Sequence, residues 1–356
     1  MMVRELREVL STIPDAPPAS SRFTPAIEDG IATATAYLAS DAAIAAITCE
    51  TYWPKWDGPW WQMLLLWELG EAAQIPQRAV RAMVAALNAL PMHSFPIREG
   101  DWPDGTTPGS SARARSASCH CALGSIDQVL AACGVEVDRE LPWVLPWYLR
   151  YQMSDGGLNC DETAYLITDE CASSMVATVP VFEAMSRRGA SAWLERGAAF
   201  LVERALHLGS PSRHNAEERT AAAWTSSMFP RFYFYDVRRG ASALVRWAAL
   251  ARVPLPVRAL EILAQLPRDP VVRVERTVPA MGTWRDKAGA WQREPSTGTF
   301  PLLAAVSQQG EPSVRLTAEW QRTRHAVVEL IDAGLVTDRA TCRALSTSRG
   351  PSRTDR

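Results

Sequence analysis

Hydrophobic residues recur every three or four positions through most of the chain, a spacing that predicts amphipathic α-helices. Alternation with a period of two, which is typical of half-buried strands, is scarce. The predicted helices cover residues 24–45, 59–73, 76–90, 118–133, 142–153, 172–187, 189–207, 235–251, 256–266 and 317–334. The pattern therefore predicts an all-α protein.

The predicted helices come in pairs that share one form. The first helix of a pair is rich in Ala and Leu, and the second often opens with Pro, which suits the first helical turn. First helices start near Trp60, Ser118, Ser173 and Tyr235, about 53 to 63 residues apart. With the helices near residues 24 and 317, this gives about six helical hairpins. We therefore expect an (α/α)6 toroid, with first helices in an inner ring and second helices in an outer ring.

Two irregular stretches interrupt this rhythm. Residues 94–117 are rich in Gly, Ser and Pro, which predicts a long loop that is either a lid or simply mobile. Residues 267–299 are also irregular, and we expect them to pack at an edge. The chain is thus divided into an N-terminal segment at 1–22, one toroid domain at 23–340 and a disordered tail at 341–356.

Composition narrows the classes of function. Lysine and arginine number 37 against 39 acidic residues, and a net charge of −2 argues against a dedicated nucleic-acid binder. No stretch reaches the roughly 18 uninterrupted apolar residues of a membrane span, and charges occupy the N-terminus where a signal peptide is apolar. We expect a cytoplasmic protein. Its seven cysteines favour free thiols or metal ligands over a disulfide framework.

One short motif carries a family resemblance. Residues 152–157 read Gln-Met-Ser-Asp-Gly-Gly, which resembles the Gln-x-x-Asp-Gly-Gly-Trp repeat of squalene-type terpene cyclases and prenyltransferases, with Leu158 replacing Trp. The Gln can bond terminal helix carbonyls, while Asp-Gly-Gly suits a tight left-handed turn. Residues 52–57, 173–175 and 230–240 are similar to a bacterial branch of these proteins. From about residue 24 to 335, the chain resembles the terpenoid cyclase and protein prenyltransferase α/α-toroid superfamily.

The resemblance implies an enzyme that acts on an isoprenoid or similarly apolar substrate in a central aromatic cavity. Aromatic faces would stabilise developing cation charge, and arginines would hold an anionic head group. The predicted substrate-binding residues are Trp60, Trp61, Arg231, Tyr233, Tyr235, Asp236 and Arg238. For Trp60 and Trp61, packing in the core is an equally good interpretation.

Acid or base chemistry is assigned to Asp161, Asp169 and Glu170. Neighbouring carboxylates can raise one another's pKa and keep one of them protonated. The Asp-x-Asp-Asp acid of squalene-type cyclases and an Asp-rich magnesium motif are both missing from the sequence. This departure weakens the cyclase interpretation relative to the prenyltransferase one.

The resemblance to prenyltransferases also implies zinc-bound thiolate chemistry. Cys119, His120 and Cys171 are the predicted ligands, with Cys121 and Cys160 nearby, since soft sulfurs and an imidazole suit tetrahedral zinc. Consecutive helical residues point about 100° apart, so at most two of residues 119–121 should ligate one ion. Buried thiols without a metal are the simpler interpretation. The alternatives to an isoprenoid enzyme are zinc-dependent thiol chemistry and a non-catalytic toroid that binds an apolar ligand or a partner protein.

Overall fold

Helices dominate the structure, as the hydrophobic period predicts. The structure is a computed structural model that describes residues 1–18, 21–89, 119–215, 217 and 221–338. The α-helices are α1 Val3–Thr12, α2 Pro25–Ala39, α3 Asp41–Cys49, α4 Pro59–Glu68, α5 Gln77–Asn88, α6 His120–Ala132, α7 Val137–Glu140, α8 Val144–Tyr151, α9 Met175–Ser186, α10 Ala192–Glu203, α11 Val237–Ala251, α12 Pro301–Val306 and α13 Val314–Asp332. The predicted loop at 94–117 and the predicted tail at 341–356 lie outside the described residues.

Strands are few and short. Strand β1 (Leu255–Pro256) pairs in parallel with β4 (Val336–Thr337), and β2 (Thr283–Lys287) forms an antiparallel hairpin with β3 (Ala290–Glu294). The mostly α-helical prediction is therefore confirmed. In the described part of the chain no single helix is long and apolar enough to cross a membrane; only α2 and α3 taken together, bent by 68°, meet that test of length and composition.

The structure corrects the predicted elements in four places. Residues 24–45 are two helices, because Ser40 ends α2 and its side chain caps α3. Residues 256–266 form two 3-10 helices, Val257–Ala259 and Glu261–Gln265, rather than an α-helix. This segment lies between Pro256 and Pro267, and the second proline limits how far a helix can extend. Helix α1 lies in the N-terminal segment 1–22, where no helix was predicted, and the β2–β3 hairpin lies in residues 267–299, which were expected to be irregular.

Five helices that are consecutive members of the predicted inner series pack side by side. Helix α4 contacts α6, α6 contacts α9, α9 contacts α11 and α11 contacts α13. Helices α6 and α9 approach each other closely at Gly124, where a Cβ atom would lie 2.5 Å from the backbone nitrogen of Val181. Helix α2 packs against α4 and α12, and α1 packs against α13. The five helices thereby bring side chains from distant parts of the sequence to one interior region.

The Gln-x-x-Asp-Gly-Gly segment behaves as its residue types predict. The Gln152 side-chain amide donates hydrogen bonds to the carbonyls of Gly156 and Trp193, at 2.9 Å each. Gly156 has a φ of +91°, and Asp155 accepts a hydrogen bond from the Gly157 amide at 3.0 Å. The turn that follows α8 is thus fixed against the start of α10, and it directs the chain back toward α6 and α9.

Candidate functional site

Three cysteine sulfurs meet at the N-terminal end of α6. Cys119 caps this helix, Cys121 lies in its first turn, and Cys160 lies in the loop between α8 and α9. The Sγ atoms of Cys119 and Cys121 are 3.1 Å apart, and the Cys121 amide donates a hydrogen bond to Cys160 Sγ at 3.3 Å. All three sulfurs lie within 4.8 Å of one another. We call these residues the thiol cluster.

The loop that carries Cys160 is fastened to the two helices beside it. The Ser174 amide at the start of α9 donates a hydrogen bond to the Leu158 carbonyl at 2.8 Å, and the Asn159 side chain bonds the Ala172 carbonyl. On the other side, His120 Nδ1 lies 2.6 Å from the Asn159 carbonyl oxygen. Since a carbonyl only accepts, Nδ1 carries the proton and donates it to this oxygen. The hydrogen bonds hold Cys160 against the end of α6.

The thiols of the cluster are electrostatically unequal. Hydrogen bonds from the thiols of Cys121 and Cys160 hold the pKa of Cys119 well below its usual range. The same bonds raise the pKa values of Cys121 and Cys160, because a thiol that donates to a thiolate resists losing its proton. The cluster sits where the α6 dipole favours negative charge. These effects favour negative charge on Cys119 over the other two sulfurs.

A half-buried lysine, Lys55, faces the thiol cluster from the loop before α4. The ammonium nitrogen of Lys55 lies 5.2 to 5.7 Å from the ring centres of Tyr52, Trp53, Trp56 and Tyr233. It also donates a hydrogen bond to the Tyr233 hydroxyl at 3.1 Å. Burial lowers the pKa of Lys55, and the negative charge of the cluster opposes that shift. Lys55 was not among the predicted site residues, although it is one of only two lysines among 37 basic residues.

The donor set of the thiol cluster fits zinc. Tetrahedral zinc with Zn–S bonds of about 2.3 Å separates its sulfur ligands by about 3.8 Å. The sulfur separations in the cluster, from 3.1 Å up to the 4.8 Å limit, bracket that value. Cys119, Cys121 and Cys160 could therefore hold one zinc ion after small rotations of their side chains. Three protein ligands leave one coordination position for another group.

The structure groups a different set of zinc ligands from the predicted Cys119, His120 and Cys171. Cys119 lies in the cluster, but its partners are Cys121 and Cys160. Cys119 has extended backbone angles, φ −65° and ψ 141°, so the 100° spacing of helical residues does not separate it from Cys121. His120 is turned toward the Asn159 carbonyl. Cys171 is placed near Ser154 and Asp155, outside the cluster.

The three carboxylates assigned to acid or base chemistry are engaged in local contacts. Asp161 accepts hydrogen bonds from the amide and hydroxyl of Thr163, at 2.9 and 2.8 Å. Asp169 forms an ion pair with Arg213. Glu170 accepts from the Ser212 hydroxyl at 2.7 Å, and this bond lowers its pKa. The pKa of Glu170 is thus shifted in the opposite direction to the one expected for a protonated acid.

Most of the predicted substrate-binding aromatic residues pack in the core. Trp60 and Trp61 are buried, and the ring of Trp61 packs against Trp56 and Phe232 with centres 4.6 and 5.1 Å apart. The Tyr235 hydroxyl donates to a backbone carbonyl at 2.7 Å. The core-packing interpretation is therefore the better one for these three residues. Tyr233 is the exception, because it contacts Lys55.

Most of the predicted polar substrate-binding residues are also engaged in contacts within the protein. Asp236 caps α11 by accepting from the Arg239 amide at 2.9 Å, and it pairs with Arg231 at 2.8 Å. Arg238 is buried, with its guanidinium 5.5 Å from the ring centre of Trp320. Of this set, Arg231 lines a cavity between the helices.

That cavity has a volume of about 290 Å³ and is lined by α4, α6, α9, α11, α13 and the segment before α11. We call it the arginine pocket. Its charged lining residues are Glu68, Glu183, Arg231, Arg239, Arg246, Arg315, Glu319 and Arg322. The expected lining of an interior cavity was aromatic, but only Trp67 and Phe229 contribute rings here. The difference arises because the large rings fill the interior while the arginines and glutamates face the remaining space.

Comparison with known proteins finds no matching family model, curated protein or solved structure. The chemistry of this chain is therefore inferred from its own geometry, beginning with the thiol cluster and the charged and aromatic groups around it.

Proposed function

We propose that this protein is a zinc-dependent enzyme that transfers an apolar group to a substrate thiol, with Cys119, Cys121 and Cys160 as the zinc ligands. The observation that carries the proposal is the convergence of three sulfurs at the start of α6. The consecutive packing of α4, α6, α9, α11 and α13 supports the α/α toroid of the prenyltransferase type on which we base the reaction class.

The charge of the donor set favours a thiol over water as the substrate group. Zinc bound to three thiolates carries a net charge of −1, which weakens its pull on a bound water but still deprotonates a bound thiol. The chain itself supplies the balancing positive charge, since the ammonium of Lys55 faces the cluster. In the proposed mechanism, Lys55 stabilises the anionic centre, and the α6 N-terminus adds to this effect.

The surroundings of Lys55 support an apolar second substrate. The rings of Tyr52, Trp53, Trp56 and Tyr233 surround this half-buried cation. Such rings offer apolar surface to an alkyl group, and the Lys55 ammonium would stabilise the anion that the donor releases as its bond to that group breaks. An isoprenoid-like group matches this environment, in agreement with the family resemblance.

Metal content is the decisive measurement. We expect protein purified without chelator to contain about one zinc per chain by elemental analysis, and Cys121→Ser or Cys160→Ser to contain almost none. Cys49→Ser is the matched control, because Cys49 is an exposed thiol outside the cluster, and it should retain the zinc. A metal-free wild-type protein would refute the proposal.

A second experiment tests whether the fourth position is open. Cobalt(II) replaces zinc in thiolate sites and makes the coordination visible by absorption spectroscopy. We expect the cobalt spectrum to change and saturate when a small thiol such as 2-mercaptoethanol is added. An unchanged spectrum would indicate a closed structural site and would favour the non-catalytic toroid instead.

A further inference from the structure

The arginine pocket contains two kinds of arginine. Arg231 and Arg239 form its floor and are fully paired: Arg231 bonds Glu319 and Asp236 at 2.8 Å each, and Arg239 bonds Glu183 at 2.8 Å. These guanidiniums are buried. Their charges are neutralised within the protein, so they fix the shape of the pocket.

The other three arginines lie toward the mouth and are not neutralised. Arg246 and Arg322 are exposed and Arg315 is half-buried. Within the described ranges, none of these guanidiniums has a carboxylate within 4.0 Å. Five arginines face three glutamates and the Asp236 partner of Arg231, which gives the pocket a formal charge of +1 with Glu68 ionised and +2 with Glu68 protonated. An aqueous pocket with this charge attracts anions.

A buried carboxyl group completes the lining. Glu68, at the end of α4, is 7% exposed, and its Oε2 accepts a hydrogen bond from the Arg231 amide at 2.8 Å. Its Oε1 is buried and has no hydrogen-bond partner among the described residues. Burial raises the pKa of Glu68 to about 7, against the opposing effect of Arg231 and Arg239. An unsatisfied buried oxygen at a pocket wall indicates a missing partner.

We infer that the arginine pocket binds a compact tetrahedral dianion of the phosphate or sulfate type, either free or as a small ester. A dianion neutralises the formal charge of +2, and its oxygens point in several directions at once. They can accept from Arg246 on α11 and from Arg315 and Arg322 on α13, while a protonated Glu68 donates from the floor. A planar monocarboxylate has one acceptor edge and one charge, which satisfies fewer of these groups.

The inferred site is separate from the thiol cluster and does not depend on the proposed function. Gln128 lines the pocket, seven residues after Cys121 on α6, which corresponds to about 10 Å along the helix. A volume of about 290 Å³ accommodates one tetrahedral anion with a small substituent. The lining offers no thiol, and the thiol cluster offers no arginine.

Sulfate binding measured by calorimetry at constant ionic strength tests the inference. We expect saturable binding of one sulfate per chain, weakened about tenfold or more in Arg315→Gln and in Arg322→Gln. Arg268→Gln is the control with the same change in net charge, since Arg268 is exposed and outside the pocket, and it should bind as the wild type does. Circular dichroism verifies that each variant is folded. Absence of binding, or equal affinity in all three variants, overturns the inference.

The pH dependence provides an independent test. Sulfate remains a dianion between pH 5.5 and 8.5, so any change in affinity over that range comes from the protein. We expect the affinity to fall about tenfold from pH 6 to pH 8, as Glu68 loses the proton that it donates and becomes a repelling carboxylate. The sulfate affinity of Glu68→Gln should not change with pH over this range. A flat wild-type profile, or an unchanged slope in the variant, contradicts the assigned role of Glu68.

Free phosphate and glycerol phosphate, tested in the same way, separate the two sources of the anion. Binding of both indicates that the pocket accepts an ester, and binding of phosphate alone indicates a site for the free ion. Either result supports the inference, whereas binding of neither ion overturns it.

Discussion

The two ends of α6 lie in opposite chemical environments. Its N-terminal end carries soft, polarisable sulfurs that lie among aromatic rings and one ammonium group. Its C-terminal half reaches the arginine pocket, where eight charged side chains converge. Thiols can be buried as neutral groups at little cost, whereas buried charges require partners. The first region is therefore held by a few hydrogen bonds and the second by ion pairs, and substitutions should affect them differently.

The largest effect is expected at the floor of the arginine pocket. Arg231→Met leaves the carboxylates of Asp236 and Glu319 without the guanidinium that both contact at 2.8 Å. Because an uncompensated buried charge is costly, we expect the free energy of unfolding to fall by about 3 to 5 kcal/mol. Urea unfolding followed by circular dichroism measures this. Arg322→Gln at the mouth should change it by less than about 0.5 kcal/mol, and equal losses in both variants would show that the floor and mouth are not distinct.

The next effect concerns the pH dependence of stability. The pKa of Glu68 is raised from 4.5 to about 7 in the folded protein, so its stabilising contribution is complete below pH 4.5 and is lost as the pH rises through 7. We expect wild-type stability to fall by about 3 kcal/mol relative to Glu68→Gln between pH 4.5 and pH 8.

Urea unfolding at several pH values, in buffers without phosphate or sulfate, measures this difference. Glu28→Gln, which changes an exposed carboxylate on α2, is the control. Its free energy of unfolding should change with pH as that of the wild type does. If the stability of Glu68→Gln has the same pH dependence as that of the wild type, Glu68 is not a buried carboxyl group that titrates near neutral pH.

Gly124 lies between the two ends of α6, and its substitution should disturb both. A Cβ atom at this position would lie 2.5 Å from the Val181 nitrogen and 2.6 Å from the Pro180 carbonyl carbon. Backbone atoms cannot rotate away, so Gly124→Ala should push α9 from α6 and cost about 1 to 3 kcal/mol. We expect zinc content and sulfate affinity to decline together.

Gly282→Ala is the matched control for this substitution, since its nearest atoms would lie at an ordinary 3.7 Å. It should leave the free energy of unfolding, the zinc content and the sulfate affinity unchanged. If Gly124→Ala loses zinc but keeps its sulfate affinity, or the reverse, the α6–α9 contact does not position both the thiol cluster and the arginine pocket.

The sequence predicts the helices well because amphipathic period is a local property. The segments that formed α6, α9 and α11 were each located to within about three residues at either end. Elements that depend on distant partners were missed. Strand β1 exists through its pairing with β4 some 80 residues later, and α1 is stabilised by its packing on α13. The closing of the helices into a toroid remains a prediction.

The two regions differ in how much of them the sequence reveals. Cys119 and Cys121 are only two residues apart in the sequence and indicate metal chemistry, but the choice of Cys160 over Cys171 depends on the loop after Gly157. The arginine pocket was predicted only in part, through Arg231, which was expected to help hold an anionic head group. Its residues come from five helices spread over about 260 positions, and in a chain with only two lysines no single arginine is distinctive.

The smallest expected effect is the loss of zinc affinity in His120→Ala. It tests whether the zinc ligands are the predicted residues or the residues that the structure brings together. His120 donates to the Asn159 carbonyl at 2.6 Å and so positions the neighbouring Cys160 without reaching the metal itself. His120→Ala should therefore retain one zinc per chain but bind it about 10- to 100-fold more weakly. Competition with a chromophoric chelator measures this affinity. Cys119→Ala should lose the zinc altogether, so equal behaviour of the two variants would restore His120 as a ligand.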